Sequence, residues 1–157
     1  MRKICLTLMA TFAVSSAYAD DKSACQEFDI GSTGEFREQH LVDADMSGGK
    51  SAGDTLIGRR DLVDANGNKI GVRHYVGFIE EVTKDGKEWR RTTHLINVLQ
   101  DGAIHGTKEL INGKFKTTEI IGGTGAYVGV TGSEKSSAKD GFTTYHFKLN
   151  CDEPNPS

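Results

Sequence analysis

Proline is almost missing from this chain of 157 residues: only Pro154 and Pro156, at the extreme C-terminus, carry it. The interior is therefore free to form β-ladders, which proline interrupts. Tryptophan occurs once, as Trp89, and cysteine three times. No C-x-x-C or H-x-x-x-H spacing accompanies the cysteines, so the case for a zinc site is weak and no resident metal or cofactor is expected. Nor is there a seryl or cysteinyl catalytic constellation. Basic residues number 19 against 22 acidic ones, with no basic cluster; nucleic acid and anionic membrane surfaces have no electrostatic footprint to meet. The longest apolar run is about a dozen residues, short of the ~20 that a membrane-spanning helix needs. Sustained helical periodicity is absent as well.

What is present begins with an export signal. Arg2 and Lys3 form a basic start, Ile4 to Val14 are mostly apolar, and Ala17-Tyr18-Ala19 has the small-x-small pattern that signal peptidase cuts. Cleavage after Ala19 is predicted, leaving residues 20–157 as one domain, delivered to the periplasm or the medium. Loss of Arg2 and Lys3 takes the formal charge from −3 to −5. Cys5 leaves with the leader, while Cys25 and Cys151 remain near opposite ends. In an oxidising compartment such a pair reads as one disulfide joining the termini, worth roughly 4–5 kcal/mol on the chain-entropy model. Two free thiols or a two-cysteine metal site are the alternatives.

The rest of the chain is punctuated by Asn66-Gly67, Asp85-Gly86, Asp101-Gly102, Asn112-Gly113 and Asp140-Gly141. Asn-Gly and Asp-Gly tolerate positive φ and suit two-residue hairpins. Between them, residues 70–82, 89–100, 103–111, 114–121 and 142–150 are rich in β-branched and aromatic side chains, as strands are. The fold class expected is all-β: a closed antiparallel barrel of about eight strands, which has no exposed edges and an interior able to hold one small ligand. A two-sheet sandwich is the alternative.

A glycine-dense run, Ile120-Ile121-Gly122-Gly123-Thr124-Gly125-Ala126-Tyr127-Val128-Gly129-Val130-Thr131-Gly132, forms a corner between apolar segments. It resembles the G-G-[ST]-G-x-[FY]-x-G-[VA]-x-G segment of plant allene oxide cyclases and dirigent proteins. Gly122, Gly123, Gly125 and Gly129 are its structural glycines. Two further elements are similar to that superfamily, in the same order. One is Gly53-Asp54-Thr55-Leu56-Ile57 followed by Leu62 to Gly71; the other is Asp101-Gly102-Ala103-Ile104-His105-Gly106. The resemblance implies an eight-stranded barrel, often trimeric, with a largely apolar cavity that shapes a reactive substrate and needs no cofactor.

The chain departs from the plant cyclase where that enzyme holds its epoxide. Phe28-Asp29-Ile30-Gly31 offers a carboxylate at Asp29 but a glycine where the family has asparagine. Arg60 replaces an inward asparagine, Gly58 an aromatic and Gly77 a cysteine. Allene oxide cyclisation itself is not expected. By resemblance, inward-facing ligand contacts are Leu56, Gly58 and Arg60 on one strand, Tyr75, Gly77 and Ile79 on the next, and Arg90, Thr92, His94 and Ile96 on the third. Asp29 or His94 would move a proton, Tyr75 would stabilise negative charge, and Arg60 would clamp a carboxylate or enolate. Each has a plainer alternative: a solvated rim for Arg60, a surface histidine at 94, barrel packing for Tyr75 and a turn cap for Asp29. Asp43-Ala44-Asp45-Met46-Ser47-Gly48, with Asp54 at the twelfth position, starts like a calcium loop but lacks flanking helices and the final glutamate; it reads as an acidic surface loop.

Two functions follow. One is a barrel that binds a small apolar or aromatic molecule and steers its cyclisation, isomerisation or coupling. The other is an exported binding or protein-interaction barrel without chemistry.

Overall fold

The computed structural model describes residues 27–33, 38–83, 89–112, 114–115 and 117–151. The proposed leader over residues 1–19 and Cys25 lie outside them, and only the backbone of Cys151 is described, so the disulfide is not visible.

Among the described residues the secondary structure is strands: β1 Glu27–Thr33, β2 Glu38–Val42, β3 Thr55–Val63, β4 Lys69–Val82, β5 Trp89–Leu99, β6 Gly102–Ile111, β7 Lys114–Phe115, β8 Thr118–Gly125, β9 Val130–Lys139 and β10 Phe142–Cys151. All pairings are antiparallel, in the order β1-β10-β9-β8-β6-β5-β4-β3-β2, with a further β1–β3 bridge. That bridge closes an eight-stranded barrel, with β2 as an extra strand and β7 a short appendix on β6. The Asp140-Gly141 turn has φ of 51° and 76°, the double positive φ expected of its hairpin. At the glycine corner β8 ends on Gly125 and β9 starts at Val130.

Closure is uneven. β1 reaches β3 at Gly31↔Val63, whereas β2 takes over the same edge from Thr55 to Arg59. The barrel is consequently tight at one end and splayed at the other, between β2 and the β9–β10 hairpin. The tight end is filled by Ile30, Leu62, Ile104, Ile120, Tyr127, Val130, Tyr145, Phe147 and Leu149. Phe28 stacks on Phe147 at 5.0 Å. Complete burial of such side chains stabilises by ~1.5–3 kcal/mol each, which anchors one end and leaves the other free to remain hollow.

Above this apolar plug lies a polar strut. Arg73 on β4 meets Glu134 on β9 through two hydrogen bonds, one of 3.1 Å from Nη1 to Oε1, and its Nε donates to Asn97 Oδ1 at 2.7 Å. Thr118 donates to Glu134 at 3.3 Å, and the Arg73 guanidinium lies 3.5 Å over the Tyr145 ring. Arg73 is 2% exposed and Glu134 1%. A buried charge pair is tolerated only with such complete bonding.

Candidate functional site

Over the strut the splayed end encloses a cavity of about 860 Å³, within the size range of small-molecule sites. Strand register decides its walls, because residues directly opposite in an antiparallel ladder share a face. Gly58↔Tyr75, Tyr75↔Leu95 and Leu95↔Gly106 form one inward row around β3, β4, β5 and β6. Leu56↔Gly77, Gly77↔Thr93 and Thr93↔Lys108 form the next, and Ile79↔Arg91 with Arg91↔Leu110 a third.

Two glycines shape this wall. A Cβ at Gly58 would lie 2.1 Å from Tyr75 Cζ and Oη, so the ring lies flat on the bare backbone of β3. A Cβ at Gly77 would lie 2.7 Å from Arg91 Cδ, so the Arg91 side chain crosses β4 in the same way. Arg60 projects over the strut toward β10, its Nη1 3.4 Å from both Thr143 Oγ1 and Tyr145 Oη. Leu41 of β2 and Ser136, Ser137 and Ala138 of β9 complete the rim.

The electrostatics are those of a basic enclosure. Burial lowers Arg91 and raises Tyr75, which keeps the phenol protonated and able to donate; Arg60 and Arg91 oppose part of the Tyr75 shift. Lys108 is brought down to about 8, first by desolvation and then by Arg73, with Glu134 opposing and Arg91 and Arg60 reinforcing. Thr93 is 1% exposed, and its Oγ1 has no hydrogen-bond partner among the described residues.

Of the residues expected at the site, Leu56, Arg60 and Tyr75 line the cavity. Gly58, Gly77 and Ile79 face the same way, the glycines beneath Tyr75 and Arg91 and Ile79 in the buried wall at 3% exposure. The third strand faces the other way. Because Tyr75 is inward, Leu95 opposite it must be inward too, and His94, Arg90, Thr92 and Ile96 point out of the barrel. His94 is exposed and packs edge-on against Phe78 at 6.2 Å. Arg90 bridges Glu80 at 3.2 Å and Glu109 at 3.1 Å on the outer surface. Asp29 is also outside: Phe28, Ile30 and Ser32 are the inward residues of β1, and Asp29 meets His146 Nδ1 at 2.7 Å on the solvent face.

Arg73, Thr93, Leu95, Lys108 and Tyr145 were not expected in the wall. A signal existed for most of them. On β6, Ile104, Gly106 and Leu110 alternate with His105, Thr107 and Glu109, which marks the inward face. The Asp101-Gly102 hairpin then fixes Leu99↔Gly102 and with it the parity of β5.

The acidic loop brings ligand oxygens of Asp43, Asp45 and Asp54 within 4.8 Å. Its carboxylates already fold the loop: Asp54 accepts from Ala44 N at 2.9 Å and Ser51 N at 2.7 Å, and Asp43 from Gly48 N at 2.9 Å. These bonds hold the Asp54 carboxyl below its ordinary range.

No protein-family model matches the sequence, and no curated protein matches it. Among solved structures the chain is similar to a pyocyanin demethylase, at 22% identity and a TM-score of 0.64 over 80% of this chain and 100% of that one. It is also similar to the Diels-Alderase AbmU from Streptomyces koyangensis, at 14% identity and a TM-score of 0.58 over 82% of this chain and 69% of that one. The likeness is one of fold, a small β-barrel.

Proposed function

We propose that this protein binds a small apolar or aromatic molecule in the splayed end of its barrel and orients it for cyclisation, isomerisation or coupling, with no cofactor. The observation that carries this reading is the cavity itself: about 860 Å³, walled by Tyr75, Tyr145, Leu56, Leu95 and Leu110, with Arg60 reaching over the polar strut. Confinement, orientation and exclusion of water are the means available to such a site. Two barrels of similar fold, named as a pyocyanin demethylase and a Diels-Alderase, lend support through the small-molecule chemistry in their names. Membership of the allene oxide cyclase and dirigent-like superfamily belongs to the same proposal and rests on the three motifs. So do export with cleavage after Ala19 and a disulfide between Cys25 and Cys151.

A second reading, a binding barrel without chemistry, is favoured by one observation. Asp29 and His94, the expected proton carriers, lie on the outer surface. Assembly of copies, as a trimer, is assigned to the outer face of β3 to β5, where Ile57, Phe78, Ile96 and Val98 are all more than 40% exposed.

Native mass spectrometry of the protein purified from its own host tests the cavity. A co-purifying small molecule, lost in Arg60→Ala without a comparable loss of stability, is the expected result. An empty barrel bound only to another protein overturns it.

A further inference from the structure

The cavity is far more basic than the chain that builds it. The chain has a formal charge of −3. Yet every charged side chain lining the cavity among the described residues is cationic: Lys50, Arg60, Arg73, Arg91, Lys108 and Lys135. Glu134, the buried carboxylate whose charge acts on Lys108, is bonded to Arg73 and Thr118. Like charges gathered behind low-dielectric walls raise the local concentration of anions. Their mutual repulsion is also a cost that an anionic ligand removes on binding.

Three of the donors converge on one patch of wall. Arg91 crosses the bare backbone of Gly77, and its Nε and Thr93 Oγ1 both come within 3.1 Å of where a Cβ on Gly77 would stand. Thr93 Oγ1 is buried with no hydrogen-bond partner among the described residues. A buried hydroxyl left unsatisfied carries a desolvation cost, which a ligand acceptor would recover. Lys108 stands directly opposite Thr93 in the β5–β6 register, a separation of about 4.5–5.5 Å between Cβ atoms. Arg91, Thr93 and Lys108 thus share one stretch of the cavity wall, and Tyr75 and Leu95 stand in the adjoining inward row.

We infer that the wall formed by Arg91, Thr93 and Lys108 seats the oxyanion of an aromatic acid whose ring lies along Tyr75 and Leu95. This deepens the cavity reading and rests on it. The ligand class is a planar aromatic bearing a carboxylate, sulfonate or phenolate.

A matched pair of fluorescent probes tests it: 8-anilinonaphthalene-1-sulfonate and its uncharged counterpart N-phenyl-1-naphthylamine, titrated into the purified full chain at pH 7. The sulfonate is expected to bind at least tenfold more tightly. Lys108→Met and the near-isosteric Thr93→Val are each expected to weaken the sulfonate about tenfold while leaving the uncharged probe within twofold. Equal binding of the two probes, or a ratio unchanged in both variants, overturns the anion seat and leaves the cavity standing. Binding of neither probe overturns both.

Discussion

At neutral pH the Lys108 ammonium faces Arg60 from β3, Arg73 and Tyr75 from β4, Arg91 from β5, Glu134 from β9 and Tyr145 from β10. Only one carboxylate in that set opposes the cations. Its value of about 8 lies below the ordinary 10.5. Between those two pH values the unfolded chain binds the extra proton, so this group's contribution to stability rises with pH and is least favourable below about 8. Lys108→Met is therefore expected to stabilise the protein at pH 7. Discounted for the partial exposure of the side chain, the gain is about 1 kcal/mol, or a rise of roughly 2–4 °C in Tm. The advantage should shrink as pH approaches 10.5. Urea unfolding of both proteins at pH 7 and pH 10 checks this; a less stable variant at pH 7 contradicts it. A residue whose removal stabilises the fold but weakens a ligand is what a binding site imposes on its scaffold. Gly58 makes a complementary case. Because a Cβ there would meet the Tyr75 ring at 2.1 Å, Gly58→Ala should displace the ring into the cavity. It should weaken N-phenyl-1-naphthylamine at least fivefold in the same titration; unchanged affinity would remove Tyr75 from the binding wall.

The elements divide the barrel into three layers: an apolar plug, the Arg73–Glu134 strut and the hollow. The strut joins β4 to β9 across the lumen, so breaking it should loosen both ends. Glu134→Ala leaves Arg73 buried without its carboxylate and should cost about 3–5 kcal/mol in urea denaturation. Replacing both, as Arg73→Met with Glu134→Leu, should cost much less. Equal losses in the two variants would mean that the strut is packing alone. The strands that pattern themselves were legible in the sequence: β4, β5, β6 and β10 begin and end within a residue or two of the expected bounds. β9 was not, because Val130–Lys139 is rich in Ser and Lys and its buried charged member, Glu134, reads as a surface residue until Arg73 is placed beside it. The facing of β5 was missed for a different reason. Both of its faces carry an arginine, threonine and aliphatic residues, so alternation alone cannot choose between them. The choice is made by cross-strand register, including the bulge between Ile79 and Glu81. Asp29 shows the limit of a family motif: the carboxylate exists, but parity along β1 turns it to solvent beside His146.

For the whole molecule, the acidic surface and the basic lumen are separate systems. Substitutions outside should therefore leave the ligand untouched. Asp29→Asn and His94→Ala are expected to bind both probes within twofold of the parent; a fivefold loss in either would return the outer face to the site. Phe78 is 45% exposed beside Ile57 and Ile96, and Phe78→Glu should convert an assembled species to monomer in analytical ultracentrifugation, without moving Tm by more than a few degrees. A parent protein that sediments as a monomer at micromolar concentration would contradict that assignment. Everything else depends on where a ligand sits. The most direct measurement is a crystal structure of the complex with 8-anilinonaphthalene-1-sulfonate. The ring should lie against Tyr75 and Leu95, with the sulfonate within hydrogen-bond distance of Arg91, Thr93 and Lys108. A probe bound on the outer face, with the cavity filled only by solvent, would contradict it.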